Sequence, residues 1–272
     1  MDVGFEACRC CKGKTELLSV SKILSYYGNY TICKGCKSIQ VDSPHWLQEA
    51  HTNAISQFDT GLVSRCTSAS RILGSFLLLQ RDPIIVGLDW GGGTGLLTRL
   101  LRDLGFETFS YDKYAVGDLA HGFTLTEKEI HQETTFISAI GCFEHLQDPI
   151  GTFSPLVSNK KYFIFTTEVL PSPLPNPSGS DWWYFMPESG QHVTFASSTG
   201  LIEFQKILGF SNYLNLGNIH IYSREKFNAR TIIVMKFRIL RWIHTRIILP
   251  LSRQKHSLAV RDRDLLLSRS VI

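Results

Sequence analysis

The chain has 272 residues, 19% charged and 43% apolar, a globular composition that excludes a disordered protein and suffices for one full core plus a small accessory module. No stretch reaches about 18 uninterrupted apolar residues, which excludes a membrane-spanning helix, and the opening MDVGFEACRCCKG lacks the apolar run of a secretion signal, so a cytoplasmic protein is expected. The net charge of +4 is uneven: from Arg224 onward twelve Lys or Arg face three acids, and the first 223 residues carry −5, an acidic body ill suited to gripping nucleic acid.

In a reducing compartment, clustered thiols serve metal ligation better than disulfides, and five of the seven cysteines fall before residue 37. Residues 1–42 read as a zinc knuckle. Cys8-Arg-Cys-Cys11 and Cys33-Lys-Gly-Cys36 are two CxxC pairs separated by 21 residues, a spacing at which two turns present four thiolates tetrahedrally to Zn2+. Four thiolates leave no open coordination position, so the metal would be structural. Cys10 is an extra thiol that substitutes in an alternative register, while Cys66 and Cys142 read as buried, unpaired residues.

Residues 43–82 read as a helical linker or lid. Ser43-Pro44 is a start signal, Ile55, Phe58 and Leu62 share a face, and 71–79 runs as a buried helix to the break at Asp82-Pro83. From 83 to 237 strands alternate with helices, the pattern of an α/β fold with a doubly wound, Rossmann-like parallel sheet. Strands are expected over 84–89, 106–112, 135–140 and 162–167, and helices around Leu96 to Leu104 and over 200–208. Two β-like runs, 212–222 and 231–237, are expected to form an antiparallel edge, and the proline-rich 171–180 reads as a loop.

The segment Asp89-Trp90-Gly91-Gly92-Gly93-Thr94-Gly95 follows a strand and opens a helix, so its glycines let the backbone turn tightly and a ligand approach the amides. A P-loop would need Gly-Lys-Ser/Thr where Leu96-Leu97 follow Gly95, and the dinucleotide fingerprint would need glycine at Leu96. An acid, one residue and then Gly-x-Gly-x-Gly instead resembles the cofactor turn of class I S-adenosylmethionine-dependent methyltransferases, on Asp89, Gly91, Gly93 and Gly95. The resemblance implies turn amides against the methionine part of the cofactor and an acid closing the next strand on the ribose hydroxyls. Asp112, 23 residues after Asp89, fits that place, and a carboxylate accepts two hydroxyl hydrogen bonds better than a neutral group.

Gly141-Cys-Phe-Glu-His-Leu-Gln-Asp-Pro149 is similar to the family's Glu-His-Leu-x-Asp-Pro signature, which implies Glu144 and His145 on the pocket floor. Thr135 replaces the acid often found where this strand starts. Phe123 is a candidate wall for the adenine and equally a core residue.

Methyl transfer from a sulfonium is an in-line displacement that must align the acceptor and remove its proton. Residues 181–197 concentrate aromatics and one histidine: Trp182, Trp183 and Tyr184 offer apolar faces to a sugar ring or planar acceptor, or pack in the core. The stretch resembles the His-x-x-Phe-Ser of zinc-bearing deoxysugar methyltransferases, in which a Tyr and a Glu-His pair serve the chemistry. His192 matches the histidine as a catalytic base, with a hydrogen-bonded loop histidine as the alternative, but Gln191 stands where that family has Glu. The order of knuckle, linker with Asn53, Asp59 and Arg65, glycine turn and aromatic loop is similar, over residues 8–215, to bacterial methyltransferases of polysaccharide and secondary-metabolite gene clusters. Asp59 and Arg65 either cap the pocket or lie on a solvated helix face.

The remaining 238–272 form a basic amphipathic tail. Leu240, Ile243 and Ile247 share a stripe opposite arginines, a pattern suited to an anionic membrane surface, a protein partner or packing on the domain itself. The expected activity is S-adenosylmethionine-dependent methylation of a sugar or other small molecule. An rRNA or tRNA methyltransferase with a zinc knuckle and a non-catalytic protein on the same fold are the alternatives.

Overall fold

The structure, a computed structural model, describes residues 5–50, 60–82, 85–130, 133–179, 182–253 and 256–270. Asn53, Ile55, Phe58 and Asp59 of the expected linker lie outside the described residues.

The N-terminal segment is a meander of β1 (Thr15–Ile23), β2 (Tyr26–Cys33) and β3 (Ile39–Asp42). After the short α1 (Leu47–Ala50), the long α2 (Leu62–Gln80) buries Leu73, Phe76 and Leu77 along one face. Alternation then begins with β4 (Val86–Trp90), α3 (Leu96–Asp103), β5 (Glu107–Tyr111), β6 (Phe136–Ala139), α4 (Pro149–Val157) and β7 (Tyr162–Thr166). Beyond the proline loop come β8 (Thr194–Phe195), α5 (Ser198–Ile207), β9 (Asn212–Asn215) and β10 (Ile219–Ser223). The chain closes with α6 (Ala229–Lys236), α7 (Arg238–Ile243), a π-helical turn (His244–Ile248), α8 (Leu249–Arg253) and α9 (Ala259–Ser270). No helix among the described residues is long and apolar enough to cross a membrane.

The main sheet has the order β5-β4-β6-β7-β10-β9, parallel except for β10, which runs antiparallel to both neighbours. Both of its faces are covered. Along β6 and β7, Phe136, Tyr162 and Ile164 face one core with α2 and α3, while Ile137, Phe163 and Phe165 face the other with α4 and α5. This is the doubly wound α/β sheet expected from the sequence, with its ligand edge at the carboxyl ends of the parallel strands.

Two features differ from expectation. The run 212–222 is a hairpin, because Asn215 Oδ1 accepts from the Gly217 amide at 2.8 Å and Gly217 adopts φ +98°. The β-branched run from Thr231 is helix α6, not an edge strand. Asn228 caps it by accepting from the Thr231 amide at 2.7 Å, and Gln80 of α2 donates to Thr231 Oγ1 at 3.1 Å. Cap and packing together outweigh strand propensity.

The first sheet has the order β1-β2-β3-β8. Its last strand comes from the far side of the chain: Ile39 pairs with Phe195 and Gln40 with Thr194. The cysteine segment and the loop carrying His192 therefore share one sheet.

Candidate active site

At the carboxyl edge, β4 delivers Asp89 and the glycine turn. Gly91, Gly93 and Gly95 all have left-handed φ, at +71°, +55° and +77°, so side chains there would be strained. A side chain at Gly91 would run into Cys142 Sγ, whereas one at Gly93 would meet nothing within 4 Å. The turn is therefore held from below and open above. The Gly91 and Gly92 amides donate to the Tyr111 carbonyl at 2.8 and 3.0 Å, fastening it to β5.

Asp89, the acid of the motif, lies beneath the turn. It is 2% exposed, Oδ1 accepts from Ser138 Oγ at 2.9 Å and Oδ2 from Thr98 Oγ1 at 3.5 Å. Burial, and secondarily the charge of Asp112, pushes its carboxyl up to about 7. It braces the turn from beneath. Asp112 is half-buried at the rim, with Oδ2 accepting from the Gly93 amide at 2.9 Å and Oδ1 from the Tyr114 and Ala115 amides at 2.7 and 3.0 Å. Three donors leave room on a carboxylate for about one more. Phe123 sits in the core, the second of its two expected places: it is 3% exposed and the Arg102 guanidinium lies 3.6 Å from its ring centroid.

Next to the turn, Cys142 Sγ lies 3.5 Å from the Trp90 carbonyl and 3.6 Å from that of Gly91, and burial raises its pKa. The 3-10 turn Phe143–His145 follows. Glu144 is 5% exposed, and burial pushes it up to about 7, partly offset by the Tyr184 hydroxyl and the charge of Arg65. The His145 and His192 rings meet edge to face at 4.9 Å, and Tyr184 stands 4.6 Å from His192. One ligand-competent atom from each of Glu144, His145 and His192 falls within 4.8 Å of the others. His145 Nδ1 is 3.2 Å from the Gln191 carbonyl and His192 Nδ1 2.7 Å from that of Tyr184. A carbonyl only accepts, so in the neutral rings Nδ1 carries the proton and Nε2 the lone pair.

Gln191, in place of the family's Glu, does not orient His192. Its side chain donates to the Ala50 carbonyl at 2.7 Å, and the Tyr184 carbonyl orients His192 instead. Of the aromatic trio, Tyr184 is buried in the cluster, Trp182 packs on Phe185 and Phe195, and Trp183 is 68% exposed. Arg65 does reach the site: it lies beside Gly141 and acts electrostatically on Glu144. Ser138 and Thr98, the partners of Asp89, carry no sequence signal beyond their positions on a strand and a helix.

The four knuckle sulfurs also converge. Cys8 Sγ is 3.6 Å from Cys36 Sγ, Cys11 Sγ is 3.5 Å from Cys33 Sγ, and all four lie within 4.8 Å of one another. Tetrahedral zinc with Zn–S of about 2.3 Å sets sulfurs about 3.8 Å apart, so the donor set fits. The two turns match: Lys12 N donates to Cys8 O and Lys37 N to Cys33 O, and both lysines are left-handed, at φ 59° and 64°. Cys10 is outside the group, with its Cβ against α5 near Gly200.

A model described as "Methyltransferase domain" matches residues 67–214, more than half of the 272-residue chain. No curated protein matches it. Among solved structures it is similar to magnesium protoporphyrin IX methyltransferase from Synechocystis with bound SAH, at 13% identity and TM-score 0.45 over 67% of this chain and 95% of that one. A SAM-dependent methyltransferase from Thermotoga maritima gives 12% and 0.45 over 66% and 100%. An O-methyltransferase family protein from Burkholderia thailandensis gives 12% and 0.45 over 61% and 57%. With the family model running from α2 through the glycine turn and the Glu144 segment to β9, the chain belongs to the methyltransferase domain family and is an S-adenosylmethionine-dependent methyltransferase.

Proposed function

We propose that the chain methylates a sugar or other small-molecule acceptor in glycan or natural-product biosynthesis, and that Glu144, His145, His192 and Tyr184 handle the acceptor. The convergence of Glu144, His145 and His192 beside the residue that seals Gly91 is the observation that carries this reading. S-adenosylmethionine, when bound, supplies an electrophilic methyl carbon on its sulfonium. The open left-handed turn at Gly93 and the unfilled acceptor capacity of Asp112 are the features that fit it, with Gly91 and Gly95 shaping the turn and Asp89 bracing it.

The imidazole pair is the base. As the acceptor attacks, its proton passes to an Nε2 lone pair of His145 or His192, and the nearby Glu144 carboxylate stabilises the imidazolium that forms. Trp183 offers an exposed apolar face beside Tyr184 for a ring-shaped acceptor. Cys8, Cys11, Cys33 and Cys36 hold a structural zinc ion.

Calorimetric titration with S-adenosylmethionine and its demethylated product tests the cofactor assignment. The intact chain should bind both, and Asp112→Ala should weaken each by about tenfold or more. Failure of the intact chain to bind either would overturn it. His192→Ala and His145→Ala should bind the cofactor normally but lose methyl transfer to a supplied acceptor.

A further inference from the structure

The C-terminal helices carry a surface that methyl transfer does not use. Phe237 is 62% exposed, Ile239 74%, Trp242 58% and Leu251 71%, all within one short stretch. Exposed apolar side chains this frequent along one short helical segment suit an interaction site. Between Lys226 and Arg253 the sequence holds seven Lys or Arg and no acid.

A cleft of about 420 Å³, lined in part by Trp242, opens between α2 and the C-terminal helices. Ser64, Ser68 and Arg71 line one wall, with Arg238, Arg241 and Arg246 on the other. None of these arginines is paired with an acidic side chain among the described residues. Arg241 Nη1 donates to the Met235 carbonyl at 2.6 Å, which fixes its guanidinium near Arg238. Guanidinium groups beside hydroxyls, with no carboxylate, match a phosphoryl group. Trp242 lines the cleft, and together with the exposed Phe237 and Ile239 of the same short segment it matches the boundary layer of a bilayer, a feature that a site for free phosphate does not require.

We propose that α7, the π-helical turn and α8 dock on an anionic phospholipid surface, with a lipid phosphate seated among Arg71, Arg238, Arg241 and Arg246. The contact is interfacial, since no described helix can span a membrane. On α2, Ser64 and Ser68 face the cleft while Arg65 reaches Gly141 at the active site, so one helix joins the docking surface to the chemistry.

Co-sedimentation of the full chain with vesicles of phosphatidylcholine alone, or mixed with phosphatidylglycerol, tests this. Binding to the anionic vesicles only, weakening as salt rises, is expected. The double variant Arg238→Glu, Arg246→Glu should lose roughly tenfold or more of that binding. Trp242→Ala should also lose binding, with melting temperature and cofactor affinity unchanged for both variants. Equal sedimentation by the parent and the double variant would overturn the proposal. So would protection of the cleft arginines by inorganic phosphate without vesicle binding, which would mark a free-anion site, or the absence of any vesicle binding.

Discussion

The guanidinium of Arg9, between two knuckle cysteines, donates to the carbonyl of Val193 at 2.7 Å. Val193 in turn donates its amide to the Glu144 carbonyl at 2.8 Å and follows His192 directly. Arg9 is 3% exposed and also donates to the Val41 carbonyl, so one buried side chain ties the cysteine turn, β3 and the histidine loop together. Arg9→Met keeps much of the volume and removes the donors, leaving two buried carbonyls without a charged partner. A stability loss of about 2–3 kcal/mol is expected. Below the melting temperature kcat should fall about tenfold to a hundredfold, because the histidine loop shifts, with cofactor affinity held. A variant with unchanged kcat would sink this link, and partial rescue by Arg9→Lys would support it.

Through the same connection, loss of the zinc proposed for the four-sulfur group is expected to lower catalysis. The intact chain should carry one zinc ion by elemental analysis. Cys8→Ser or Cys36→Ser should lose it, and Cys10→Ser should keep it, since Cys10 lies outside the four-sulfur group. Chelation should loosen the first sheet and lower methyl transfer before it lowers cofactor binding, because the glycine turn is fastened to β5 of the main sheet. Full activity in a zinc-free chain would refute the coupling.

Much of the main sheet was legible because both of its faces are buried, which makes β4, β6 and β7 read as apolar runs between turn signals. The glycine turn was legible because tight backbone geometry restricts residue type at fixed spacing, and Asp112 was singled out through the family resemblance that the turn carries. What escaped depends on distant partners. β8 is two residues long, too short for any periodicity, yet it completes the knuckle sheet. Arg9 looks like an ordinary basic residue in a cysteine turn, and its burial is set by strands about 185 residues downstream. The helical run from Thr231 went astray for the same reason, since Asn228 and Gln80 fix it, and the choice between wall and core at Phe123 likewise turns on a distant partner, Arg102.

Glu144 gives a prediction whose sign depends on pH. Burial raises it from an ordinary 4.5 to about 7, so between those values the folded chain holds this proton more tightly than the unfolded chain. Stability from this group is therefore greatest at low pH and falls as pH rises through that window. Above it, the buried charge costs about 3 kcal/mol. Glu144→Gln should melt higher than the parent at pH 8 and converge with it near pH 5, while methyl transfer drops about a hundredfold or more. A lower melting temperature at pH 8 would count against the buried charge, and an undiminished rate against its role.

The C-terminal α9 is held by a buried ion pair. Arg102 donates through Nε and Nη2 to both Asp262 oxygens at 2.7 and 2.6 Å, and the two side chains are 0% and 2% exposed. Burial alone would raise the Asp262 carboxyl, but the Arg102 hydrogen bonds and charge, joined by Arg99, hold it below the usual range. A depressed folded pKa stabilises the chain above the unfolded value of about 3.9, and that contribution disappears as pH falls through the folded one. Asp262→Asn keeps the shape but removes the charge facing Arg102, leaving the buried guanidinium with neutral partners such as the amide oxygen, the Thr108 carbonyl and the Phe109 and Phe123 rings. At neutral pH it should cost about 3–5 kcal/mol and expose residues 256–270 to protease, with the deficit shrinking toward pH 3. Equal melting temperatures for the two chains at pH 7 would show that α9 is not anchored through this pair.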